Sequence, residues 1–506
     1  MSGADVGRTI PWNRVFWCWI AVRTIVWTAA ATFRFVNAPV DVLEMLAWGP
    51  HWQAGNYKHP PLPAWCAEWA VEITRGSLVS VYLLSNLFLA GALWAVWSTG
   101  CALIGPGKAM IPVLILETTC FFTYQGAEFN HNITLTCFWA LAIHCAWRAC
   151  SGGGLLAWVA YGCCLGLGLL SKYNMVLLIG WQGLALLATS SGRRALLTPG
   201  PWIGGAVGLA IFWPHLAWLM NNDWMTLQYL GSRGGARNTL AGYALGIVGL
   251  VGEQAWMAWG MLVPLLLLVT SRRELTQGER EGGRYLALCV VGPLLTILFL
   301  AMTGRRVIGF WAFPCYSFVG VLVLLWYEIR PGRCPMVRAV LAGGAITVGL
   351  LALTLFGDRI SAGRGNLNVR SHFPGRALAE EVTARWHSVV GDSDSPLPIV
   401  AGEHWLADNV AWYSPDRPVV FVGENPQQPL PVPRYSPWTG DADFMVRGGV
   451  FIWEKAKTPD SVVEQLRQRY PGIRVMPEIT LPLVVSGATI TTGMAVMAPS
   501  SGVISP

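Results

Sequence analysis

The sequence has few charged residues and lacks the common motifs for nucleotides, zinc hydrolysis and disulfide frameworks. Only 12% of its 506 residues are Asp, Glu, Lys or Arg, against about 25% in soluble domains. It has no GxGxxG motif, no P-loop and no HExxH, which excludes those types of cofactor and metal site. It has no CxxC pair and no Cys after Cys334, so the C-terminal part is not a disulfide scaffold.

What the chain has instead is apolar sequence. Hydrophobic residues make up 54% of it, the mean hydropathy is +0.46, and there are 27 Trp. Such an excess along most of the chain predicts a polytopic α-helical membrane protein, because a spanning helix needs about 20 apolar residues. Eleven segments have this character, at 14–34, 77–100, 108–126, 132–150, 154–171, 173–190, 201–220, 240–270, 285–303, 306–327 and 337–357.

The loop charges predict the topology of these segments. If the N-terminus is cytoplasmic and the first segment is retained as a helix, every cytoplasmic loop carries Lys or Arg, as the positive-inside rule requires. The outer loop at 35–76 and the region after residue 357 then lie on the outer, periplasmic side of a bacterial inner membrane. The cations of the cytoplasmic loops are Lys108, Arg148, Arg193, Arg194, Arg272, Arg273, Arg280, Arg284, Arg330, Arg333 and Arg338.

A second group of cations falls on the outer side, against this trend. One interpretation is ordinary scatter with side chains that reach the membrane surface. The other is that these cations bind an anionic lipid head group, which their number favours. Lys172 and Tyr173 form a very short outer turn, and Arg305 and Arg306 are adjacent, which suits bidentate binding of a phosphate. The group comprises Lys58, Lys172, Arg233, Arg237, Arg305 and Arg306.

The first outer loop combines an acid with a basic, proline-rich sequence. Asp41 and Glu44 are three residues apart, so they share one face of a helix predicted over 41–54. Apolar residues within that stretch suit a helix lying in the membrane interface. Lys58 and His59 precede Pro60 and the two prolines that follow it, which stiffen the chain and favour the start of a second helix. A carboxylate here is a candidate general base, although solvation of an interfacial helix explains both acids equally well.

The second outer loop ends in another polar cluster, Glu128-Phe129-Asn130-His131-Asn132. Glu128 and His131 are candidate substrate-binding residues, while either asparagine suits a helix N-cap. His59, His131 and a carboxylate are conceivable ligands of a divalent metal, but no metal-site spacing supports this. Arg23 and Glu117 lie inside apolar segments, where charges tend to pair, and a structural pair is the favoured interpretation.

The composition changes near residue 358, which divides the chain into a membrane domain, 1–357, and a C-terminal domain, 358–506. In the second part, 398–401, 419–422 and 450–453 have the pattern of strands, and 405–413 and 459–470 that of helices. Strands that alternate with helices predict a small α/β domain with some parallel pairing.

Several motifs resemble the polyprenyl-phosphate-sugar-dependent glycosyltransferases of the GT-C fold. The closest resemblance is to bacterial family-39-like enzymes of the lipopolysaccharide galacturonosyltransferase-like and aminoarabinose-transferase-like groups. It covers residues 15 to about 330, with a further similar segment in the C-terminal part. The motifs are Asp41 with KHPPLPAW (58–65), HNITLTCFWALAIHCAWRA (131–149), GLLSKYNMVLL (168–178), WPHLAWLMNNDW (213–224), GRRVIGFWAFPCY (304–316) and HWLADNVAWYSPDRP (404–418).

The resemblance implies roles for some of these residues. The acid after the first helix is the family's catalytic carboxylate, which corresponds to Asp41, and the outer basic residues that bind the donor phosphate correspond to Lys58, Lys172 and Arg305 or Arg306. The family often has Asp-Glu at the first position, whereas Val42 follows Asp41 here; Glu44 is a candidate for the second acid. The expected reaction is inverting transfer of a sugar from a polyprenyl-phosphate donor to a lipid, glycan or protein acceptor, with no required cofactor.

Two other classes of function compete with a transferase. A transporter or flippase of a lipid-linked anion also needs outer-facing cations, but such proteins often contain inverted repeats, and no repeat is found. A receptor-like or assembly scaffold leaves Asp41 and the arginine pair unexplained. The sequence indicates neither the sugar nor the acceptor.

Overall fold

The computed structural model describes residues 10–232, 239–303, 307–364, 366, 369–392, 394–485 and 488–500. The α-helices in chain order are α1 (Trp12–Arg34), α2 (Val40–Trp48), α3 (Leu62–Ile73), α4 (Leu78–Ile104), α5 (Pro106–Leu116), α6 (His131–Cys150), α7 (Gly154–Ser171), α8 (Met175–Ala188), α9 (Ser190–Leu196), α10 (Pro199–Asn221), α11 (Met225–Ser232), α12 (Leu240–Leu268), α13 (Gln277–Met302), α14 (Val319–Trp326), α15 (Arg333–Ala352), α16 (Asp358–Gly363), α17 (Gly375–Val390), α18 (His404–Tyr413), α19 (Asp441–Arg447) and α20 (Ser461–Arg469). The strands are β1 (Val269–Arg272), β2 (Tyr327–Ile329), β3 (Ile399–Glu403), β4 (Val419–Asn425), β5 (Gln428–Pro431), β6 (Gly449–Glu454), β7 (Arg474–Pro482) and β8 (Thr489–Met497).

The chain forms two compact units, which differ from the predicted domains in one respect. The helical unit contains Met1–Ala30 and Tyr82–Ala352. The mixed unit contains Ala31–Val81 and Leu353–Pro506, so the first outer loop groups with the C-terminal residues. The domain boundary at residue 357 remains a prediction.

The helices confirm a polytopic membrane protein. Within the described residues, nine helices are long and apolar enough to cross a membrane, or ten if the α8–α9 pair, bent by 104°, is one span. Two of the eleven predicted segments therefore differ from the structure. The segment at 173–190 is this bent pair, and the segment at 108–126 contains only the 11-residue α5.

The end of α5 explains the shorter segment. From Glu117 the chain continues in turns, where Thr118 and Thr119 donate their hydroxyls to carbonyls of the preceding turn. Such local hydrogen bonds compete with helix continuation. Glu117 is buried and pairs with Arg23 at 2.6 Å, and Arg23 also donates to the Phe122 carbonyl at 2.8 Å. The predicted pairing of these two charges is confirmed, and its structural role remains a prediction.

Close packing of α7 against α10 depends on small residues. A Cβ on Gly162 would lie 2.1 Å from the Gly204 carbonyl oxygen, and one on Gly204 would lie 2.7 Å from the Trp158 carbonyl oxygen. No side chain fits at these distances, so glycine lets the two backbones touch, as is common between membrane helices.

The mixed unit is built on a six-stranded sheet in the order β5-β4-β3-β6-β8-β7. β3 is parallel to both β4 and β6, and the outer pairings are antiparallel. The predicted strands, helices and parallel pairing of the C-terminal part are confirmed. β3 is buried along its whole length, and α18 follows it directly, so the carboxyl edge of the parallel strands carries the start of this helix.

The first outer loop contributes two helices to the same unit. The predicted helix after Asp41 is α2, and a helix beginning near Pro63 is α3. The apolar side chains of α2 are buried, and α2 packs against α3 and α18. Packing within the mixed unit therefore accounts for these side chains, and the position of the helix in a membrane interface remains a prediction.

Candidate active site

Asp41 lies in the first turn of α2, where an acid is favoured by the positive end of the helix dipole. Its side chain is half-buried. Glu44, one turn further, is buried at 6% exposure. The 3-residue spacing thus places both predicted acids on α2, as expected from the sequence, but in different environments.

Lys58 reaches back to this helix. The chain reverses after α2 through a short helical turn, Gly49–His51, and Trp52 has a left-handed backbone with φ 47°. Lys58 is 8% exposed, and its ammonium group forms an ion pair with the Glu44 carboxylate. The ammonium also lies 5.1 Å from the centre of the Tyr57 ring. A charge buried to this degree requires such a partner.

His59 shares this turn with Lys58. The Asn56 amide donates to the His59 carbonyl at 3.2 Å, which closes the turn before the prolines. The imidazole is half-buried. Its predicted role in substrate binding remains a prediction.

Two further acids in this neighbourhood were not predicted from the sequence. Glu403 ends β3 and caps α18, where its carboxylate accepts from the Leu406 amide at 3.4 Å. Asp408 lies one turn into α18 and is 2% exposed. His404 is close to both, with Nε2 3.6 Å from Glu403 Oε1 and Nδ1 3.8 Å from Asp408 Oδ2.

Burial decides the protonation of these acids. It raises the pKa of Asp408 well above its usual range; the neighbouring Glu44 carboxylate raises it further, and Lys58 opposes the shift. Burial also raises the pKa of Glu403, against the backbone amides of Trp405 and Leu406, which lower it. These shifts favour the neutral form of Asp408, and Glu44 is the acid that forms the ion pair with Lys58.

The helical unit contains the second set of predicted residues. Asn130 caps α6 by accepting from the Asn132 amide at 2.9 Å. Lys172, between α7 and α8, donates to Asn132 Oδ1 at 2.6 Å. His131, which stands between these two asparagines in the sequence, is buried. Glu128 is half-buried in the preceding turn. The structure thus brings Lys172 to the start of α6, where the sequence showed a polar cluster.

Tyr173 is held by a different partner. Its hydroxyl lies 2.7 Å from His215 Nε2 on α10, and burial raises the pKa of the phenol. His215 is fully buried and was not predicted. Arg233, Arg305 and Arg306 lie outside the described residues, so their predicted roles remain predictions.

The geometry offers no support for a metal site in the described ranges. No group of three or more His, Cys, Asp or Glu side chains there has the arrangement of metal ligands. What the mixed unit supplies is a half-buried carboxylate, Asp41, on the same helix as the buried Glu44 that pairs with the ammonium of Lys58. A carboxylate suits proton abstraction and an ammonium suits binding of an anion.

Comparison with known proteins shows what the chain is similar to. Residues 58–218 match the family model described as dolichyl-phosphate-mannose-protein mannosyltransferase. The lipopolysaccharide core galacturonosyltransferase RgtA of Rhizobium johnstonii is 22% identical over 468 residues, 87% of each chain. RgtB, of the same description and organism, is 23% identical over 404 residues, 75% of this chain and 78% of RgtB.

The fold comparison decides the architecture. Crystal structures of ArnT from Cupriavidus metallidurans, bound to undecaprenyl phosphate and in the apo state, superpose with TM-scores of 0.59 and 0.60. Both matches cover 97% of this chain and 98% of ArnT, at 12% and 13% identity. The chain has a GT-C fold like that of ArnT. The predicted fold is thereby confirmed, and the similarity to proteins named as glycosyltransferases favours a transferase over the transporter and scaffold hypotheses.

Proposed function

We propose that this protein is a GT-C glycosyltransferase that moves a sugar from a polyprenyl-phosphate donor to a hydroxyl of a lipid, glycan or protein acceptor. The likeness to an ArnT that binds undecaprenyl phosphate supports such a donor. The relatives named as lipopolysaccharide core galacturonosyltransferases support a glycolipid acceptor and make galacturonic acid the first sugar to test. The proposed site of reaction is the periplasmic face of the inner membrane, with the N-terminus in the cytoplasm.

The single observation that carries the proposal is the grouping of Asp41, Glu44 and Lys58 within the mixed unit. Asp41 is accessible enough to meet a substrate, while Glu44 and Lys58 are buried as a pair. The two acids of α2 are thereby assigned different tasks. Asp41 is the proposed general base, and Glu44 is a positioning residue that holds the ammonium of Lys58.

The proposed reaction is a single inverting displacement. Asp41 takes the proton of the acceptor hydroxyl as that oxygen bonds to the anomeric carbon of the sugar. The bond between the anomeric carbon and the phosphate oxygen breaks on the opposite face. The products are the glycosylated acceptor, polyprenyl phosphate and a protonated Asp41, which returns its proton to water.

Cations stabilise the departing phosphate in this scheme, since negative charge grows on it in the transition state. Lys58 is the proposed contact in the mixed unit. Lys172, oriented by Asn132, is the proposed contact in the helical unit, with Tyr173, His131, Glu128 and His59 as further substrate contacts. Arg233, Arg305 and Arg306 retain the same proposed role.

The proposal is tested with the purified protein in liposomes. Polyprenyl-phosphate galacturonic acid is supplied with a lipopolysaccharide core acceptor, and the matching nucleotide sugar is supplied in parallel. We expect product only from the lipid-linked donor, one polyprenyl phosphate released per sugar transferred, and an inverted anomeric configuration by NMR. Transfer from the nucleotide sugar, or retention of configuration, would contradict the proposed donor or mechanism. If galacturonic acid fails, mass spectrometry of envelope lipids from a deletion strain identifies the sugar.

A further inference from the structure

The mixed unit contains a cavity of about 380 Å³ that the proposed mechanism does not use. This volume falls within the roughly 300–1,000 Å³ typical of small-molecule sites. The cavity is bordered by α2, α3, α18 and the chain that leads into β4. Its polar and aromatic lining includes His51, Glu68, Arg75, Asp408, Trp412 and Arg417.

Two arginines, Arg75 and Arg417, line the cavity beside the acids Glu68, Glu72 and Asp408. The Arg417 guanidinium carbon lies 4.0 Å from the centre of the Trp412 ring. A guanidinium held over an aromatic ring in this way can still donate N–H groups from its edge to a ligand. Gly76, next to Arg75 in the sequence, lies close to the Arg417 side chain. A Cβ added to Gly76 would be 3.6 Å from Arg417 Nη2.

Both arginines have an unusual backbone. The φ angles are 56° at Arg75 and 47° at Arg417, in the left-handed region that residues other than glycine rarely adopt. Such conformations are strained and concentrate at functional sites. Their occurrence at two arginines that line one cavity points to a role for the placement of these side chains.

Acids limit what the cavity accepts. Glu68 is brought in by a close approach to Gly49, where a Cβ would lie 2.6 Å from Glu68 Cβ. Burial and the neighbouring Glu72 raise the pKa of Glu68 to about 7, and Arg417 lowers it. Asp408, buried at the inner end, has an Oδ2 atom without a hydrogen-bond partner among the described residues. A carboxyl group in this state suits a ligand hydroxyl as its partner.

We propose that this cavity binds an anionic sugar of the acceptor glycan, with Arg75 and Arg417 on its carboxylate or phosphate and Asp408 and Glu68 on its hydroxyls. A mixed lining of guanidinium and carboxyl groups suits a sugar that carries both kinds of group. Asp408 also interacts electrostatically with Glu44 and Lys58. This interaction connects the subsite to the proposed catalytic residues. The assignment of this sugar to the acceptor rests on the proposed function, whereas the binding of an anionic sugar does not.

Binding to the full-length protein in detergent tests the proposal directly. The probes are a methyl hexuronide, a hexose 6-phosphate and the neutral methyl hexoside, each titrated by saturation-transfer NMR. We expect one or both anionic probes to bind at least about tenfold more tightly than the neutral one, and Arg417→Gln to remove that difference. Which anion binds identifies carboxylate or phosphate as the group recognised. Equal binding of all three probes would overturn the proposal.

Matched variants separate recognition from folding. Arg376, like Arg75 and Arg417, is exposed, and its guanidinium carbon lies 5.4 Å from the centre of the Tyr413 ring. It does not line the cavity. Arg376→Gln should bind the anionic probes normally, whereas Arg75→Gln should weaken them even if Arg417→Gln is unstable. Normal binding in both cavity variants would refute the site. If transfer is absent from the wild type while the probes bind as expected, the proposed function fails and this subsite stands.

Discussion

Glu44 and Lys58, 14 residues apart in the chain, form a buried ion pair in the mixed unit. Removing one partner of such a pair leaves a buried charge and typically costs about 3–5 kcal/mol. Lys58→Met should therefore lower the free energy of unfolding by that order, and the double variant Glu44→Gln/Lys58→Met should recover much of the loss. Chemical unfolding followed by Trp fluorescence measures the difference.

An exposed pair in the same unit provides the control. Glu381 and Arg385 on α17 are an i,i+4 pair with exposures of 44% and 22%. Glu381→Gln should change stability by less than about 1 kcal/mol, as is usual for surface pairs. A double variant as unstable as Lys58→Met alone would contradict the assignment of Glu44 as the partner that holds Lys58.

Lys172 is expected to act on the donor and not on the stability of the fold. Its ammonium is half-buried and oriented by Asn132, so Lys172→Gln should raise the KM for the lipid-linked donor about tenfold, equivalent to 1.4 kcal/mol, with a smaller effect on kcat. Lys108→Gln, which changes an exposed lysine of α5, is the matched control. An unchanged donor KM in Lys172→Gln would remove Lys172 from the phosphate site.

Arg23 and Glu117 should prove structural. Both are buried in the helical unit, where Arg23 Nε lies 2.6 Å from Glu117 Oε1. A lone charge among membrane helices is costly. We expect Glu117→Ala to reduce the yield of folded protein strongly while the enzyme that folds retains its kcat. Yield from size-exclusion chromatography and turnover per folded molecule distinguish the two effects. A stable but inactive Glu117→Ala protein would show a catalytic role.

Glu68 gives the proposed sugar subsite a pH dependence. Its pKa is raised to about 7 by burial and by Glu72, and lowered by Arg417; His51 and Arg75 also line the cavity. Burial lowers the pKa of His51 to about 4, so His51 stays neutral near pH 7. The carboxyl group of Glu68 therefore becomes negative as the pH rises through about 7, and affinity for a methyl hexuronide should fall.

The Glu68→Gln variant tests this assignment. Because its amide cannot ionise, the affinity for the hexuronide should stay nearly constant between pH 6 and 8, values chosen about one unit either side of the expected pKa. Titration at several pH values measures both proteins. An identical pH dependence in the two would show that another group controls binding.

Local sequence was sufficient to predict much of the fold. Of the eleven segments predicted from apolar length, nine are helices of spanning length within the described residues, and the prolines before Leu62 predicted the start of α3. The failure at 108–126 has a local cause, since the threonines after Leu116 bond to the backbone and Glu117 turns toward Arg23. Apolar composition alone does not show where such bonds end a helix.

The candidate site was predictable only where its residues are near in sequence. Asp41, Glu44, Lys58 and His59 stand within one loop of the sequence, and a carboxylate beside a basic cluster is a recognisable signal. Asp408 gave no such signal, because a single acid in a short helix usually faces solvent. Its burial beside Glu44 follows from the packing of α18 on α2. Glu403 and His404, at the carboxyl end of a buried parallel strand, were the available clue.

The most direct measurement is transfer by the Asp41→Asn variant with the lipid-linked donor. Loss of a general base typically costs 10²–10⁴-fold, so we expect transfer to fall by roughly that factor. Donor binding should remain normal, because Lys58 and Glu44 are unchanged. Asp223→Asn, which changes an exposed carboxylate after α10, should transfer at the wild-type rate. Full transfer by Asp41→Asn would contradict Asp41 as the base and with it the proposed mechanism.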